Sequence, residues 1–512
     1  MCALTLIFWK IAAGPASSRR RSRRRVAVAA AALALTIAGT AAASGGRAAE
    51  QPWASANGGV ASQRAIAATA LDARTIPRLR VRWRFRLHAH ATAFGAITSN
   101  PIIRGRTVYL QDSTSTVFAL DVRTGALRWS HVIAAPNDGP NGLAVSGARI
   151  YSATDTTAFA LDATTGRQLW SRRLTGRFEQ FVGIAPVVDR GRVYVSTQGF
   201  PPGGRGALYA LSAATGRVVW RFQTVKEPWP RPEAGGGGSW YPLSVDERGN
   251  VYAGIANPGP WGGTKAFPNG GSFAGPALYT DSLVVLAGAS GALLWYDQVT
   301  AHDVRDYDFQ VSPILATLGA RRVVFGAGKG GRVVAWDRTA RTRLWSRAVG
   351  THLHDLGPLP VRPTRVCPGL FGGVLTPMAY AGGRLFVPVV ELCMRESAVT
   401  TESVLQRPPA EGKGTIYALA AATGTTVWER RLSSAPFGCA TVARDAVIVP
   451  TYDGRVVAFA AADGRTLWST QLRAGNNSCP AVGRDVLIVA GGAPHPDIAH
   501  PVTEVVAFGL GE

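Results

Sequence analysis

Two short stretches concentrate the residues whose types could do chemistry. In AHDVRDYDFQ, His302, Asp303, Asp306 and Asp308 fall within one turn-sized segment. Carboxylates at that density can serve as a general base or as ligands to a hard cation, and they would equally suit a solvated acidic loop balanced by Arg305. In GAGKGGRVVAWDR, Lys329 is one of only five lysines in a chain that otherwise relies on arginine. The flanking glycines let backbone approach closely, so this ammonium reads as a specific point-charge donor. Trp240 follows a glycine run in GGGGSWYPLSVD and could floor a planar ligand or simply pack. Asn257, in YAGIANPGPW, suits either a cation ligand or a turn cap.

These residues need a scaffold, and a recurring phrase supplies it. VFALDVRTGALRW, AFALDATTGRQLW, LYALSAATGRVVW, SLVVLAGASGALLW, VVAWDRTARTRLW, IYALAAATGTTVW and VVAFAAADGRTLW each read as a strand, a tight turn and a second strand ending in tryptophan. The tryptophans are Trp129, Trp170, Trp220, Trp295, Trp345, Trp428 and Trp468. The shortest spacings match one four-stranded unit, and a second pair of apolar strands precedes each phrase. An eighth tryptophan, Trp83, lies in a lone strand predicted over 79–87, while the C-terminus supplies only three strands. Pairing the two ends closes an all-β, eight-bladed β-propeller with tryptophan-docking repeats and leaves no open edge. Long insertions at 226–239, 257–277, 302–311, 353–370 and 392–414 are predicted to gather on one face, where a rigid scaffold usually carries its site.

Composition narrows the function classes. The 512 residues are 46% hydrophobic and carry a formal net charge of +23, so the chain folds around a substantial core. Eight of the positive charges precede residue 50. The remaining arginines are dispersed, with no nucleic-acid motif. Residues 1–49 read as a signal peptide or N-terminal anchor: Arg19–Arg25 precede an apolar run, Val26–Ala43, that ends in Ala41-Ala42-Ala43. Residues 50–512 read as a single domain, exported to the periplasm, cell envelope or medium, with membrane contact only if the leader is retained. Cys367, Cys393, Cys439 and Cys479 remain after the leader, an even number without CxxC or CxxCH spacing. Two disulfides are expected, with three connectivities open, whereas a zinc ribbon or attached c-type haem is not.

Taken in order, WASANGGVASQR, IPRLRVRWRFRL, the tryptophan repeats, GGGGSWYPLSVDERGNVYAGIANPGPW, HDVRDYDFQ and GKGGRVVAWDR resemble the pyrroloquinoline quinone (PQQ) dependent alcohol dehydrogenases across the whole mature chain. The resemblance implies that Trp240 lies under the quinone, that Asn257, Asp306 and Asp308 hold a Ca2+ or lanthanide ion, and that Lys329 donates to the reactive carbonyl oxygen. Asp306 would remove the proton of an alcohol, polyol or sugar while hydride passes to PQQ, and the electrons would leave to an external acceptor such as a c-type cytochrome. CPGLFGGVLTPMAY resembles the segment that covers the cofactor.

Three positions depart from that pattern. The family's adjacent Cys-Cys pair would fall near PNDGPNGLAV and is absent. Asn141 stands where a cofactor-binding Arg is usual, and Gln198, after VYVST, replaces the metal-binding Glu. Cys439 and Cys479 are expected at equivalent inner-strand positions of successive blades and Cys367 and Cys393 beside strands of one elaborated blade, so of the three connectivities those pairings are expected. A second reading is a non-catalytic propeller similar to the outer-membrane assembly scaffold, which has these repeats and binds protein partners.

Overall fold

In every repeat the two strands of the phrase pair antiparallel, as alternation and turn chemistry require, and each pairing slips by one residue just before the tryptophan. Val117–Asp121 pairs with Leu127–His131 so that Ala119 faces Trp129 and Leu120 faces Leu127. The same bulge precedes Trp170, Trp220, Trp295, Trp345, Trp428 and Trp468. The extra residue sharpens the local twist and redirects the indole toward the neighbouring sheet. There, Trp129 Nε1 donates to Ala163 O at 3.2 Å, Trp170 to Ala213 O at 3.0 Å and Trp428 to Ala461 O at 3.0 Å. The turn glycine of the next phrase lies against the ring. A Cβ built on Gly216, which has φ +70°, would sit 2.5 Å from Trp170 Cε3. We expect Gly216→Ala to cost about 1–3 kcal/mol, measured by denaturant unfolding, because both the contact and the left-handed backbone exclude a methyl group. An unchanged midpoint would refute this account of the repeat.

The computed structural model describes residues 53–511 except 90, 93, 138, 177–178, 201–202, 227–234, 260, 262–274, 276 and 399–408. The predicted leader lies outside the described residues. Sheets built on four antiparallel strands span residues 102–131, 144–173, 187–223, 244–298, 314–348, 379–432 and 441–471, with Gln180–Phe181 added to the third and Ala65–Ile66, in parallel, to the seventh. The eighth unites residues 481–510 with Leu79–Arg86, which pairs with Glu504–Leu510 and carries the same bulge before Trp83. The fold is thus an eight-bladed β-propeller closed by its N-terminal strand. Trp83 docks on Val122 O of the first blade at 3.0 Å, joining the last blade to the first. Among the described residues no helix is long and apolar enough to cross a membrane.

Between neighbouring blades the inward faces interlock, as where Phe325, Val387, Val389 and Met378 pack fully buried. Both favoured disulfides are formed, Cys367 to Cys393 and Cys439 to Cys479. The segment WASANGGVASQRAI goes beyond the strand reading. Its carbonyls at Trp53, Ala54, Val60, Ala61, Gln63 and Arg64 accept amides from the first strands of six of the eight blades, passing over the third: Ile103, Val145, Val245, Leu315, Tyr380 and Val442. The chain therefore winds around the inner strands before it reaches the closing strand. Arg64 is fully buried there and donates to Ala440 O, Ala56 O, Pro480 O, Asn57 Oδ1 and Thr441 Oγ1. Burial lowers its pKa to about 9.

Candidate active site

The inserted loops converge on a cavity of about 430 Å³. It is lined by residues from four of the five predicted insertions: Gly236 and Gly237, Asn257 to Gly259 with Trp261, Asp306, Asp308 and Gln310, and Leu370. Trp240, Asn257, Asp306, Asp308 and Lys329 all face this one cavity, although up to 89 residues separate them in sequence.

The acidic loop is not solvated. Asp303 and Arg305 are each 4% exposed, Asp306 6% and Asp308 1%. Asp303 caps the turn, its Oδ1 accepting the Arg305 amide at 2.8 Å and its Oδ2 the Tyr307 amide at 2.6 Å. Tyr307 Oη donates to Pro368 O at 3.0 Å, and Arg305 donates to Gly357 O and Pro358 O. Arg305 does not balance the loop as the solvated alternative would require; its side chain turns toward Glu396, with Nε 3.6 Å from Oε2. These anchors hold Asp306 in a left-handed conformation, φ +61°, a strained geometry of the kind found at functional sites.

Lys329 Nζ lies 2.6 Å from Asp306 Oδ2 and 2.5 Å from Asp308 Oδ2. The glycines explain how it arrives there: a Cβ on Gly328 would come within 2.0 Å of Asp308 O. Asp308 Oδ1 accepts the Asn257 amide at 2.8 Å, linking the Asn257 loop to the same group. Burial pushes the Asp306 carboxyl well above the usual range, with Lys329 pulling it back and Asp308 repelling it. Burial alone would lower Lys329, but the two carboxylates more than offset it and raise its pKa. An ammonium held between two buried carboxylates is a proton-handling unit: it stabilises one negative charge strongly and the second less so.

Trp240 meets Phe181 and Phe200 edge-on at 5.5 and 5.9 Å between ring centroids, and these two stack on each other at 5.5 Å. The indole plane is thereby braced, and aromatic walls of this kind suit a flat, fused-ring ligand. Asn141 is not among the residues lining the cavity. It is buried behind Gly139 and Pro140, which do line it, and donates to Asn137 Oδ1 and to Val182 O at 3.1 Å. A short amide cannot reach where a longer side chain would. Gln198 lines the cavity with both ends engaged, its Oε1 accepting the Gly183 amide at 2.8 Å and its Nε2 donating to Ser239 O. It staples two loops and brings no charge.

Sequence reasoning missed Asp281. It is fully buried, with neither carboxylate oxygen in a well-formed hydrogen bond, and burial together with Asp303, Asp308 and Asp306 pushes its pKa well up. An isolated acid opening the otherwise apolar strand of LYTDSLVVL was the available signal. The aromatic residues Phe94, Phe181, Phe200 and Phe437 were also missed, since nothing in their local pattern distinguishes a cavity wall from core, whereas Phe371 lies in the CPGLFGGVLTPMAY segment expected to cover the cofactor.

The residues present fit PQQ through the braced indole and the Lys329 ammonium. For a cation the donors of Asn257, Asp306 and Asp308 are all hard oxygens, which suits Ca2+ or a lanthanide. Among the described residues no three His, Cys, Asp or Glu side chains converge on one point. The set is therefore lean, with Gln198 contributing nothing.

Glu396 offers a pH test of the buried network. Burial raises its pKa from 4.5 to about 7, against the pull of Arg305. The folded state then binds more protons than the unfolded chain between about pH 4.5 and 7, so stability falls as pH rises through that window. Glu396→Gln should flatten the fall by about 1–3 kcal/mol in denaturant melts at pH 5 and 7.5. An unaltered slope would remove Glu396 from the account.

Comparison with known proteins agrees with this architecture. A family model described as outer membrane protein assembly factor BamB matches residues 138–359 and 372–494, about two thirds of the chain. A second, described as the β-propeller domain of glucose/ethanol/alcohol dehydrogenases, matches residues 53–156. Quinohemoprotein alcohol dehydrogenase ADH IIB of Pseudomonas putida is 29% identical over 332 residues, covering 57% of this chain and 47% of its own. The dehydrogenase subunit of alcohol dehydrogenase (quinone) from Gluconobacter oxydans is 28% identical over 298 residues, 50% of this chain and 38% of its own. The chain thus spans half or less of the curated relatives it matches. Among solved structures, quinohemoprotein alcohol dehydrogenase ADHIIG of Pseudomonas putida aligns with TM-score 0.76 at 21% identity, covering 90% of this chain and 80% of its own. A europium-containing methanol dehydrogenase aligns at 0.75 with 19% identity, covering 90% and 98%. BamB from Moraxella catarrhalis aligns at 0.54 with 14% identity, covering 84% and 99%. On the sequence matches and the eight bladed sheets together, the chain belongs to the PQQ-binding-like family of β-propellers that includes the quinoprotein alcohol dehydrogenases.

Proposed function

We propose that this protein is an exported quinoprotein oxidoreductase that oxidises an alcohol and passes the electrons to an external acceptor such as a c-type cytochrome. The observation that carries the reading is the buried Asp306, Lys329 and Asp308 group facing the same cavity as the braced Trp240. When bound, PQQ supplies a two-electron acceptor for the hydride. Asp306 is the base that takes the hydroxyl proton, and burial raises its proton affinity above that of an ordinary carboxylate. Lys329 orients Asp306 and carries positive charge into the region where negative charge develops. Asn257, Asp306 and Asp308 would hold the cation, Ca2+ or a lanthanide. Asp303, Arg305 and Tyr307 keep the loop from relaxing, so Asp306 stays aimed at the cavity.

A protein-binding scaffold is the second reading, favoured by the match to the BamB model and by the neutral, fully engaged Gln198. Titration of leader-free protein with PQQ, with and without Ca2+ or lanthanide, followed through tryptophan fluorescence and then dye reduction with an alcohol panel, separates the two. Quenching followed by turnover supports the oxidoreductase. No PQQ binding under any cation supports the scaffold.

A further inference from the structure

We infer that the substrate is a bulky apolar or aromatic alcohol, not a polyol or sugar; this rests on the oxidoreductase reading and narrows it. The cavity divides by chemistry. Its charged residues, Asp306, Asp308 and Lys329, are nearly buried and satisfy one another. Beyond them the walls are Phe94, Trp261, Leu370, Phe371, Leu375 and Phe437. Phe94 is 39% exposed and meets Phe371 edge-on at 6.5 Å between centroids, so two rings from distant parts of the chain narrow the mouth. Phe371 is backed by Leu375, Val390, Leu392 and Phe437, and Phe437 in turn packs on Tyr452 at 5.1 Å. The wall is therefore rigid as well as apolar.

Four polar side chains among the described lining residues, Thr98, Gln310, Asn477 and Gln198, strengthen the argument because each sends a hydrogen bond to backbone. Thr98 donates to Gly139 O at 2.7 Å, Gln310 to Leu375 O at 2.8 Å and Asn477 to Phe94 O at 3.1 Å. Gln198 is engaged at both ends. A polyol entering this cavity exchanges several water hydrogen bonds for contacts with rings, whereas a monohydric alcohol needs only the one partner that Asp306 provides. Apolar bulk is favoured instead, since a phenyl or long alkyl group is removed from water against flat aromatic faces.

The test has two arms. Saturation-transfer NMR on the cofactor-free protein should show benzyl alcohol bound and glycerol not. With PQQ and cation added, kcat/KM for 1-propanol should exceed that for glycerol by about a hundredfold, and benzyl alcohol should exceed ethanol. Phe371→Ala should lower the ratio of benzyl alcohol to ethanol about tenfold; Phe94→Ala, at a half-exposed ring where folding is not at risk, should lower it in the same direction. Glycerol or glucose used as well as 1-propanol overturns the inference while leaving the oxidoreductase reading intact. Failure of PQQ to bind overturns that reading and this one together, and benzyl alcohol failing to bind the cofactor-free protein overturns the wall's role by itself.

Discussion

Asp306→Asn is expected to lower kcat by about a thousandfold or more while leaving PQQ affinity within a few-fold of the parent. The substitution keeps the shape of a side chain that is 6% exposed and removes its capacity to take a proton. Lys329 keeps its second partner, Asp308, at 2.5 Å, so the local fold is retained. Stopped-flow dye reduction under single-turnover conditions reads the chemical step, and fluorescence titration reads cofactor binding. Because burial and Asp308 hold the Asp306 pKa above its ordinary range, turnover of the parent should climb with pH as this group loses its proton. A variant with kcat within tenfold of the parent would take Asp306 out of the base role.

Lys329→Met is expected to damage both function and fold. Removing the ammonium leaves Asp306 and Asp308 buried beside each other without their shared counter-ion, near a third unpaired carboxylate, Asp281. Breaking a buried pair in this way costs about 3–5 kcal/mol, and loss of the charge stabiliser costs about 10²–10³ in kcat. The sign of the pH response separates electrostatics from packing. Without Lys329 Asp306 titrates higher still, so stability should fall more steeply than in the parent as pH rises, and should recover in acid as this group protonates. Added Ca2+ or lanthanide should recover part of it at neutral pH by supplying the missing charge. Denaturant melts at pH 5 and 7.5, with chelator or cation, measure all of this. Equal losses at both pH values, indifferent to cation, would mean that Lys329 matters for its volume and not for its charge.

How much of this was legible beforehand follows from the range over which each interaction acts. The blades are local objects: a bulged hairpin with a turn glycine and a terminal tryptophan lies within about a dozen residues, so strand period, turn chemistry and repeat spacing were enough to count eight blades and to pair the ends. The strand expected over 79–87 is observed at Leu79–Arg86, and both disulfide pairings are as expected. The acidic loop and Lys329 stood out because their residue types are rare in this chain. Their mutual contact, 23 residues apart, was implied by resemblance and not by spacing.

The sequence by itself therefore determined the architecture and the residue types available for chemistry, since periodicity is written in consecutive residues. Tertiary structure decided what those residues are worth. Only burial distinguishes a solvated acidic loop from Asp303, Asp306 and Asp308 in a desolvated pocket, because desolvation depends on everything packed around them. Only the three-dimensional path places Arg305 against Glu396, Asn141 behind the wall, Gln198 between two backbones and Asp281 among other acids. The aromatic mouth is the extreme case: Phe94 and Phe371 lie 277 residues apart and become neighbours only when blades from opposite parts of the chain close around one axis, a consequence of the ring and not of any segment within it.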